Sequence, residues 1–398
     1  SISPHALFHP RVCHSHFAGS NISDWFAKLT STFSARWATA IRSRQDANRY
    51  LPQAIAHRGY KAAWPENSMA AFKGAVEVGA HALETDLHLS KDGVVVLSHD
   101  PSLKRCYGVD KRISECNWDY LSSLQSVREP KQPLPRLSDL LEWLAAPGRE
   151  EIWLLLDIKI DDDAEELVGA LSDTLKKVSP TQDKPWDERV VLGCWNASYI
   201  QASRRLLPTY PVAHITWYLP YARHFLSIPN LGYNVFQRAL VGCKGSRFLH
   251  DAQSEDRPVY AWTVNEERWM RWCIEQNSPA GSSGTSDPNE TKPLLDENSS
   301  AGTSTGASTV RGLRLIDGVI TDDPKLFLEV CKRWEDERDG KVAPAKGPGL
   351  VQSIRAGLKS FLQGLIYRVM STGFFHYNRY VTNRLDLLPA DKTHPKSE

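Results

Sequence analysis

The chain has 398 residues, more than one ordinary domain core and fewer than three domains need, so one large domain with appendages is expected. Hydrophobic residues at 41% and aromatic residues at 10% exclude disorder throughout the chain. The 48 basic and 47 acidic residues leave a net charge of +1, which gives no argument for nucleic acid as a partner. The seven cysteines form no CxxC pair, which indicates free thiols in a reducing, intracellular compartment.

The first predicted element is an amphipathic helix within an N-terminal extension, residues 1–50. Basic residues accompany its apolar stripe, and this composition favours either an anionic membrane surface or a transit sequence. The alternative is a helix that packs on the following domain. The apolar residues at helical spacing are Ile22, Trp25, Phe26, Leu29, Phe33, Trp37 and Ile41.

Residues 51–335 alternate short β-branched runs with amphipathic stretches, for example at 68–78, 164–178 and 265–276. The run at 94–97 follows an Asp-Gly turn and predicts a hairpin-like neighbour of the preceding strand. The other eight runs predict the α/β fold of a TIM (β/α)8 barrel. These runs are 53–56, 82–89, 152–158, 190–195, 212–217, 233–236, 259–264 and 318–320.

Two further segments complete the predicted organisation. Residues 278–310 contain 17 Gly, Ser or Thr among 33 residues, which predicts a disordered insertion on the face opposite the catalytic loops. Residues 336–398 form a C-terminal tail whose part from 340 to 385 has seven Lys or Arg and no acid. Its apolar positions recur at helical spacing from Leu350 to Met370, which predicts a basic amphipathic helix.

This tail favours an anionic membrane surface as a partner and a peripheral or tail-anchored location at a membrane. Each cation near the headgroups would contribute on the order of 1 kcal/mol. The alternative is a helix packed on the barrel. Nothing in the sequence indicates the organelle or the oligomeric state.

The polar residues that could take part in catalysis or in binding lie at the ends of the predicted strands. His57 ends the first strand, at the barrel face where active sites form, and Arg58 can offer a planar fork to a phosphate. Glu84 and Asp86 lie two apart on one strand, so both carboxylates can point to one place. Their mutual repulsion at neutral pH would be removed by a hard divalent cation.

Two more strands add residues to the same predicted face. His99 closes the next short strand and could transfer a proton, whereas His88 is expected to be a rim histidine without a catalytic role. Asp157 supplies a third carboxylate and Lys159 a cation for a phosphate oxygen. Together these residues indicate metal-assisted phosphoryl chemistry.

Eight short motifs follow one another along about 280 residues. They are His-Arg-Gly at 57–59, Pro-Glu-Asn-Ser at 65–68, Glu-x-Asp at 84–86, Asp-Gly at 92–93, His-Asp at 99–100, Asp-x-Lys at 157–159, Ala-Trp-Thr-Val-Asn at 261–265 and Asp-Gly-Val-Ile-Thr-Asp at 317–322. In identity and order they resemble the motifs of the glycerophosphodiester phosphodiesterase family. The stretch from residue 54 to residue 118 looks most like the fungal phosphatidylglycerol phospholipase C branch of that family.

The resemblance implies a divalent cation, Mg²⁺ or Ca²⁺, and two catalytic histidines. It further implies phosphate partners, an aromatic wall for the glycerol pocket, and supporting positions behind the site at Glu66 and Asn67. The implied residues are Glu84, Asp86 and Asp157 for the metal, His57 and His99 as acid and base, Arg58 and Lys159 for phosphate, and Trp262 for the wall.

The resemblance also implies that a glycerol hydroxyl attacks phosphorus and that water opens the resulting cyclic phosphate. With the basic tail, it favours a phospholipid substrate, phosphatidylglycerol, cleaved to diacylglycerol and glycerol phosphate. A soluble glycerophosphodiester or a lysophospholipid is the alternative substrate. A noncatalytic lipid-binding scaffold on the same fold is the second alternative.

Overall fold

Eight parallel strands close on themselves into a barrel in the computed structural model, which describes residues 33–180, 184–278 and 313–343. The barrel order is β3, β4, β6, β7, β8, β9, β10 and β11, and β11 returns to pair with β3. The predicted (β/α)8 fold is therefore confirmed. The strands are β1 Ile41–Arg42, β2 Tyr50–Leu51, β3 Gln53–His57, β4 Ala82–Leu89, β5 Val95–Leu97, β6 Trp153–Ile158, β7 Val190–Cys194, β8 Val212–Thr216, β9 Leu231–Phe236, β10 Val259–Trp262 and β11 Gly318–Thr321.

The short strand β5 pairs antiparallel with the end of β4, with Leu87 opposite Leu97, as the Asp-Gly turn predicts. The three predicted helices are present as α1, α5 and α9, and the side chains of Ser68 and Asp163 cap α1 and α5. The helices are α1 Met69–Glu77, α2 Lys104–Tyr107, α3 Trp118–Leu121, α4 Leu137–Leu144, α5 Ala164–Lys177, α6 Ala197–Leu206, α7 Leu219–Ala222, α8 Cys243–Ser254, α9 Glu267–Glu275 and α10 Pro324–Arg338. Single 3₁₀ turns span Arg36–Ala38, Ile113–Glu115, Trp186–Glu188, Arg223–Phe225 and Gln237–Leu240.

The period of two along each strand divides the core into an inner and an outer layer. On β6, Leu154 and Leu156 pack outward against the helices, whereas Trp153 and Leu155 pack inside the barrel. Continuing the inward series along β6 gives Asp157 at the end of the strand. The same alternation places polar residues of β3 and β4 above an apolar inner layer, at the carboxyl ends of the strands.

The amino-terminal end of the barrel is closed by residues 33–40, and here the helix prediction is wrong. Phe33 and Ala38 pack inside the barrel with Trp153 and Tyr260, and between residues 33 and 40 the chain forms only one 3₁₀ turn. The buried carboxylate of Asp317 accepts the backbone N–H of Ala40 at 2.9 Å. The apolar positions follow the shape of the barrel opening, which a continuous helix with one apolar stripe would not fill.

The remaining parts of the predicted appendages lie outside the described residues. These are residues 1–32 of the N-terminal extension, residues 279–310 of the insertion, and the C-terminal tail from residue 344. Within the described ranges, no helix combines the length and the apolar character that a membrane crossing requires. The end of α10 contacts the β1–β2 hairpin through Arg49 and Asp339, which places the end of this helix at the barrel end opposite the strand carboxyl ends.

Candidate active site

Three buried carboxylates converge at the carboxyl ends of β4 and β6. Glu84, Asp86 and Asp157 each offer an oxygen, and these oxygens lie within 4.8 Å of one another. Adjacent strand positions account for the proximity, because Asp86 and Asp157 are directly opposite in the parallel pairing. The predicted carboxylate cluster therefore exists as a geometric unit.

Two cations lie against this cluster. Lys159 Nζ is 2.8 Å from Asp86 Oδ1 and 2.6 Å from Asp157 Oδ2, and Arg58 Nε is 3.3 Å from Asp86 Oδ2. Asn67 donates its amide N–H to Asp86 Oδ2 at 2.8 Å. Burial raises the pKa of Asp86, but the charges of Lys159 and Arg58 outweigh burial and hold that pKa well below its usual range.

Glu84 has the opposite electrostatic environment. Its Oε2 accepts the backbone N–H of Arg58 at 2.9 Å, yet its side chain is buried close to Asp86 and Asp157. Burial, followed by repulsion from those two carboxylates, raises the pKa of Glu84 well above its usual value. The cluster therefore disfavours a third negative charge unless another cation is present.

His57 is held by an acid from the last strand. Its Nδ1 lies 2.6 Å from Oδ1 of Asp322, and Asn265 donates to Oδ2 of the same carboxylate at 3.0 Å. Burial lowers the pKa of His57, although the Asp322 carboxylate opposes this shift. Burial raises the pKa of Asp322, but the contacts with His57 and Lys61 together outweigh this effect and the pKa falls to about 2. The imidazole is therefore neutral at pH 7 and fixed in orientation.

His99 lines the same cavity and also has an acidic partner. Its Nδ1 lies 2.7 Å from Oδ1 of Asp100, and its side chain is 38% exposed. Burial lowers the pKa of His99, and Asp86 partly offsets this effect. His88 instead directs Nδ1 to Asp162 at 2.8 Å and Nε2 to the backbone carbonyl of His99, so it lies outside the cluster, as expected.

All eight predicted site residues line one cavity of about 110 Å³ at the carboxyl ends of the strands. The lining combines charged side chains with the aromatic rings of Trp195 and Trp262. The ring centroids of Trp262 and Trp195 lie 5.9 Å apart. A small polar group with a short alcohol matches this volume and this lining. The eight residues are His57, Arg58, Glu84, Asp86, His99, Asp157, Lys159 and Trp262.

The sequence patterns assigned no site role to three residues that contact the predicted ones. Trp195 donates its indole N–H to Asp157 Oδ1 at 2.7 Å, and Asp322 and Asp100 hold the two histidines. Trp195 and Asp322 each follow directly after a barrel strand, which is the signal that could have identified them. Asn67 and Glu66, expected behind the site, contact Asp86 and Arg58 respectively.

The donor set fits a divalent metal ion. Three carboxylates supply only oxygen ligands, which Mg²⁺ and Ca²⁺ prefer, and a further cation beside Lys159 and Arg58 would relieve the repulsion that raises the pKa of Glu84. Lys159 already neutralises part of the cluster, so an entering ion would have to share or replace its contacts.

Comparison with known proteins identifies relatives across most of the barrel. The model of the glycerophosphoryl diester phosphodiesterase family matches residues 57–280. A glycerophosphodiester phosphodiesterase of Caldanaerobacter subterraneus is 23% identical over 291 residues, covering 70% of this chain and 97% of that protein. A lysophospholipase D of Homo sapiens is 31% identical over 169 residues, but this match covers only 40% of this chain and 51% of the human protein.

Solved structures share the fold. A phosphodiesterase of Oleispira antarctica, solved in complex with the product sn-glycerol-3-phosphate, aligns with a TM-score of 0.54 at 22% identity and covers 71% of this chain and 97% of its own. A glycerophosphodiester phosphodiesterase of Parabacteroides distasonis aligns with a TM-score of 0.52 at 20% identity, covering 72% and 99%. The chain thus belongs to the glycerophosphoryl diester phosphodiesterase family, whose members are metal-dependent phosphoric diester hydrolases.

Proposed function

We propose that this chain cleaves a phosphodiester that carries a glycerol unit, using the glycerol hydroxyl next to the ester as an internal nucleophile. The observation that carries this proposal is the convergence of three buried carboxylates between His57 and His99 in one cavity. Attack on phosphorus expels the second alcohol and leaves a cyclic phosphate, which water opens to glycerol phosphate. A tethered nucleophile has a large effective concentration, so the first step needs no bound water.

His57 would accept the proton of the attacking hydroxyl. Its Nδ1 is engaged by Asp322, so the other ring nitrogen is the one available to the cavity. The neutral imidazole that burial favours is the form that a general base requires. His99 would protonate the departing alkoxide, because it is the second histidine that lines the cavity and a bound phosphate anion favours its charged form.

Glu84, Asp86 and Asp157 would hold one divalent cation, Mg²⁺ or Ca²⁺. When bound, the cation would neutralise a nonbridging phosphate oxygen and lower the pKa of the attacking hydroxyl. Arg58, which lines the cavity, would bind another phosphate oxygen. Lys159 would do the same once a metal ion takes over the charge of its carboxylate partners. Trp262 would pack against the glycerol carbons.

For the second alcohol we propose diacylglycerol, which makes the substrate phosphatidylglycerol and the reaction of phospholipase C type. Support comes from the basic amphipathic pattern of residues 350–370, which suits an anionic bilayer surface. That segment lies outside the described residues, and the helix α10 that precedes it ends at the barrel end opposite the cavity. Its role would therefore be that of a tether that keeps the enzyme at a membrane inside the cell.

A lysophospholipid is a second candidate substrate. The similarity to a lysophospholipase D of Homo sapiens, at 31% identity over 169 residues, favours it. The same internal attack would then expel choline or another polar alcohol from a lipid that retains one acyl chain on its glycerol. The two candidates therefore differ in which side of the phosphate carries the lipid.

Product identification separates these substrates. The full chain is incubated with Mg²⁺ or Ca²⁺ and with phosphatidylglycerol vesicles, lysophosphatidylcholine or glycerophosphocholine, and the products are identified by mass. Diacylglycerol from phosphatidylglycerol supports the phospholipase C proposal. Lysophosphatidic acid supports the lysophospholipid candidate, and glycerol phosphate with choline supports a soluble diester. The absence of product from all three would overturn the proposed chemistry.

Matched variants test the site and the tether separately. Glu84→Gln and His57→Ala should abolish turnover, whereas Glu77→Gln on the exposed side of α1 should not change it.

The combined change Arg355→Glu, Lys359→Glu and Arg368→Glu should reduce sedimentation with anionic vesicles but leave soluble diester cleavage intact. Reversal of three exposed barrel lysines, Lys73, Lys91 and Lys131, provides the charge-matched control.

A further inference from the structure

The segment of residues 98–136 between β5 and α4 covers one side of the barrel mouth. It contains α2 and α3 and packs around an apolar cluster of its own that includes Leu103, Ile113 and Leu121. Because this small core forms separately from the main one, the segment needs specific contacts to hold its place on the barrel. Arg105, on α2, makes such contacts at the edge of the site.

The guanidinium of Arg105 reaches two carboxylates at once. Its Nη1 and Nη2 donate to Oε2 and Oε1 of Glu66, both at 2.8 Å, and its Nε donates to Oδ2 of Asp100 at 2.6 Å. All three nitrogens of the fork are therefore engaged. A lysine could satisfy one of these acids at a time, because its ammonium is a point charge without a planar fork.

Each of the two carboxylates contacts a candidate site residue with the same group. Glu66 Oε1 accepts Arg58 Nη1 at 2.8 Å, and Asp100 Oδ1 lies 2.7 Å from His99 Nδ1. Arg105 does not line the cavity. Arg105 therefore reaches Arg58, the candidate phosphate ligand, through Glu66, and it reaches His99, the candidate acid, through Asp100.

We infer that Arg105 is a positioning residue that sets Arg58 and His99 relative to each other through Glu66 and Asp100. The inference rests on the proposed function for its catalytic consequence. It makes the segment 98–136 part of the catalytic architecture, because α2 supplies the residue that links the Glu66–Arg58 pair to the Asp100–His99 pair. A phosphate on Arg58 and a leaving alcohol near His99 would then keep a constant spacing.

A purely structural ion pair is the competing explanation. The Arg105 side chain is 48% exposed, and the partly buried Glu66 carboxylate keeps its ion pair with Arg58 when Arg105 is replaced, so no buried charge is left unpaired. Loss of Arg105 should therefore leave the unfolding midpoint almost unchanged while it changes the rate. That separation between stability and turnover distinguishes the two explanations.

The test compares Arg105→Gln and Arg105→Lys with Lys104→Gln in the full chain with metal ion. Lys104 precedes Arg105 on α2, and its ammonium lies 3.7 Å from the exposed carboxylate of Asp110. We expect Arg105→Gln to lower kcat at least tenfold with a smaller change in KM, and Arg105→Lys to recover only part of the loss. Lys104→Gln should remain within twofold of the wild type.

Double variants and a measurement independent of turnover complete the test. Two double variants combine Arg105→Gln with Glu66→Gln or with Asp100→Asn. Each should lower kcat little more than the more damaging of its two single changes, because all three residues act through one network. The nitrogen NMR signals of His99 should shift in Arg105→Gln, whereas those of His57 should not. Full additivity, or unchanged rates and unchanged His99 signals, would overturn the inference. A wild type without diester cleavage would instead contradict the proposed function, while the His99 signals would still report on positioning.

Discussion

The Nδ1 atom of His57 and the Oδ1 atom of Asp322 lie 2.6 Å apart, which joins the first barrel strand to the residue that follows the last one. Barrel closure creates this pair, because β3 and β11 are adjacent only when the sheet returns on itself. The carboxylate fixes which imidazole nitrogen carries the proton and which one faces the cavity.

The first prediction concerns this pair. Asp322→Asn should lower kcat by about a hundredfold or more, because an amide can donate to Nδ1 and so stabilise the tautomer that cannot accept a proton. Steady-state kinetics on a glycerophosphodiester measures the effect. Asp323→Asn is the matched control, since Asp323 caps α10 and asparagine is also a good cap. Equal rates for Asp322→Asn and wild type would remove His57 from the role of base.

The second prediction concerns Lys159 and metal binding. Its ammonium contacts two of the three candidate ligands, so it competes with a divalent cation for the same oxygens. Lys159→Met should bind Mg²⁺ or Ca²⁺ about tenfold more tightly, because one repelling charge is removed. Titration calorimetry measures the affinity, and the exposed Lys91→Met is the control. Weaker binding would mean that Lys159 orients the ligands for the ion instead of competing with it.

The third prediction concerns a buried histidine on β8. His214 packs among Tyr221, Phe225 and Tyr233, and burial lowers its pKa from 6.5 to about 4. Between those two pH values the unfolded chain binds a proton that the folded chain does not, so the folded state loses stability as the pH falls. His214 should contribute about 2 kcal/mol of lost stability between pH 7 and pH 5.

Urea unfolding at both pH values tests this expectation in the wild type and in His214→Phe. The variant removes the titrating group, so its free energy of unfolding should depend less steeply on pH. The exposed His250→Phe serves as the control. The same pH dependence in His214→Phe and wild type would show that other groups cause the acid destabilisation.

The fourth prediction concerns the closure of the amino-terminal end of the barrel. Phe33 is 1% exposed inside the barrel, so Phe33→Ala should reduce the free energy of unfolding by about 3 kcal/mol through the cavity it leaves. Chemical denaturation measures this loss. Val127→Ala, at a side chain that is 55% exposed, should change stability by less than about 0.5 kcal/mol. A similarly small loss in Phe33→Ala would mean that residues 33–40 are dispensable for the barrel.

Sequence periodicity was sufficient for the barrel and for most of its site. Strands buried on both faces appear as short β-branched runs, and the alternation of side chains along a strand puts Glu84 and Asp86 on one face. The family resemblance implied that Asp157 joins them around a metal ion. Periodicity failed at residues 33–41. The apolar spacing there fits a helix, but Phe33, Ala35 and Ala38 instead pack into the inner core at the barrel opening.

The sequence by itself determined the strand order in the chain, the face of each acidic side chain and the chemistry of the group that gathers at the strand ends. Those properties depend on neighbours within a few residues. Only the tertiary structure decided that Asp322 holds His57, that Trp195 binds Asp157, and that Arg105 joins Glu66 to Asp100. These partners are between 5 and 265 residues apart, and no local periodicity encodes which of them meet. Closure of the barrel and docking of the 98–136 segment set those distances.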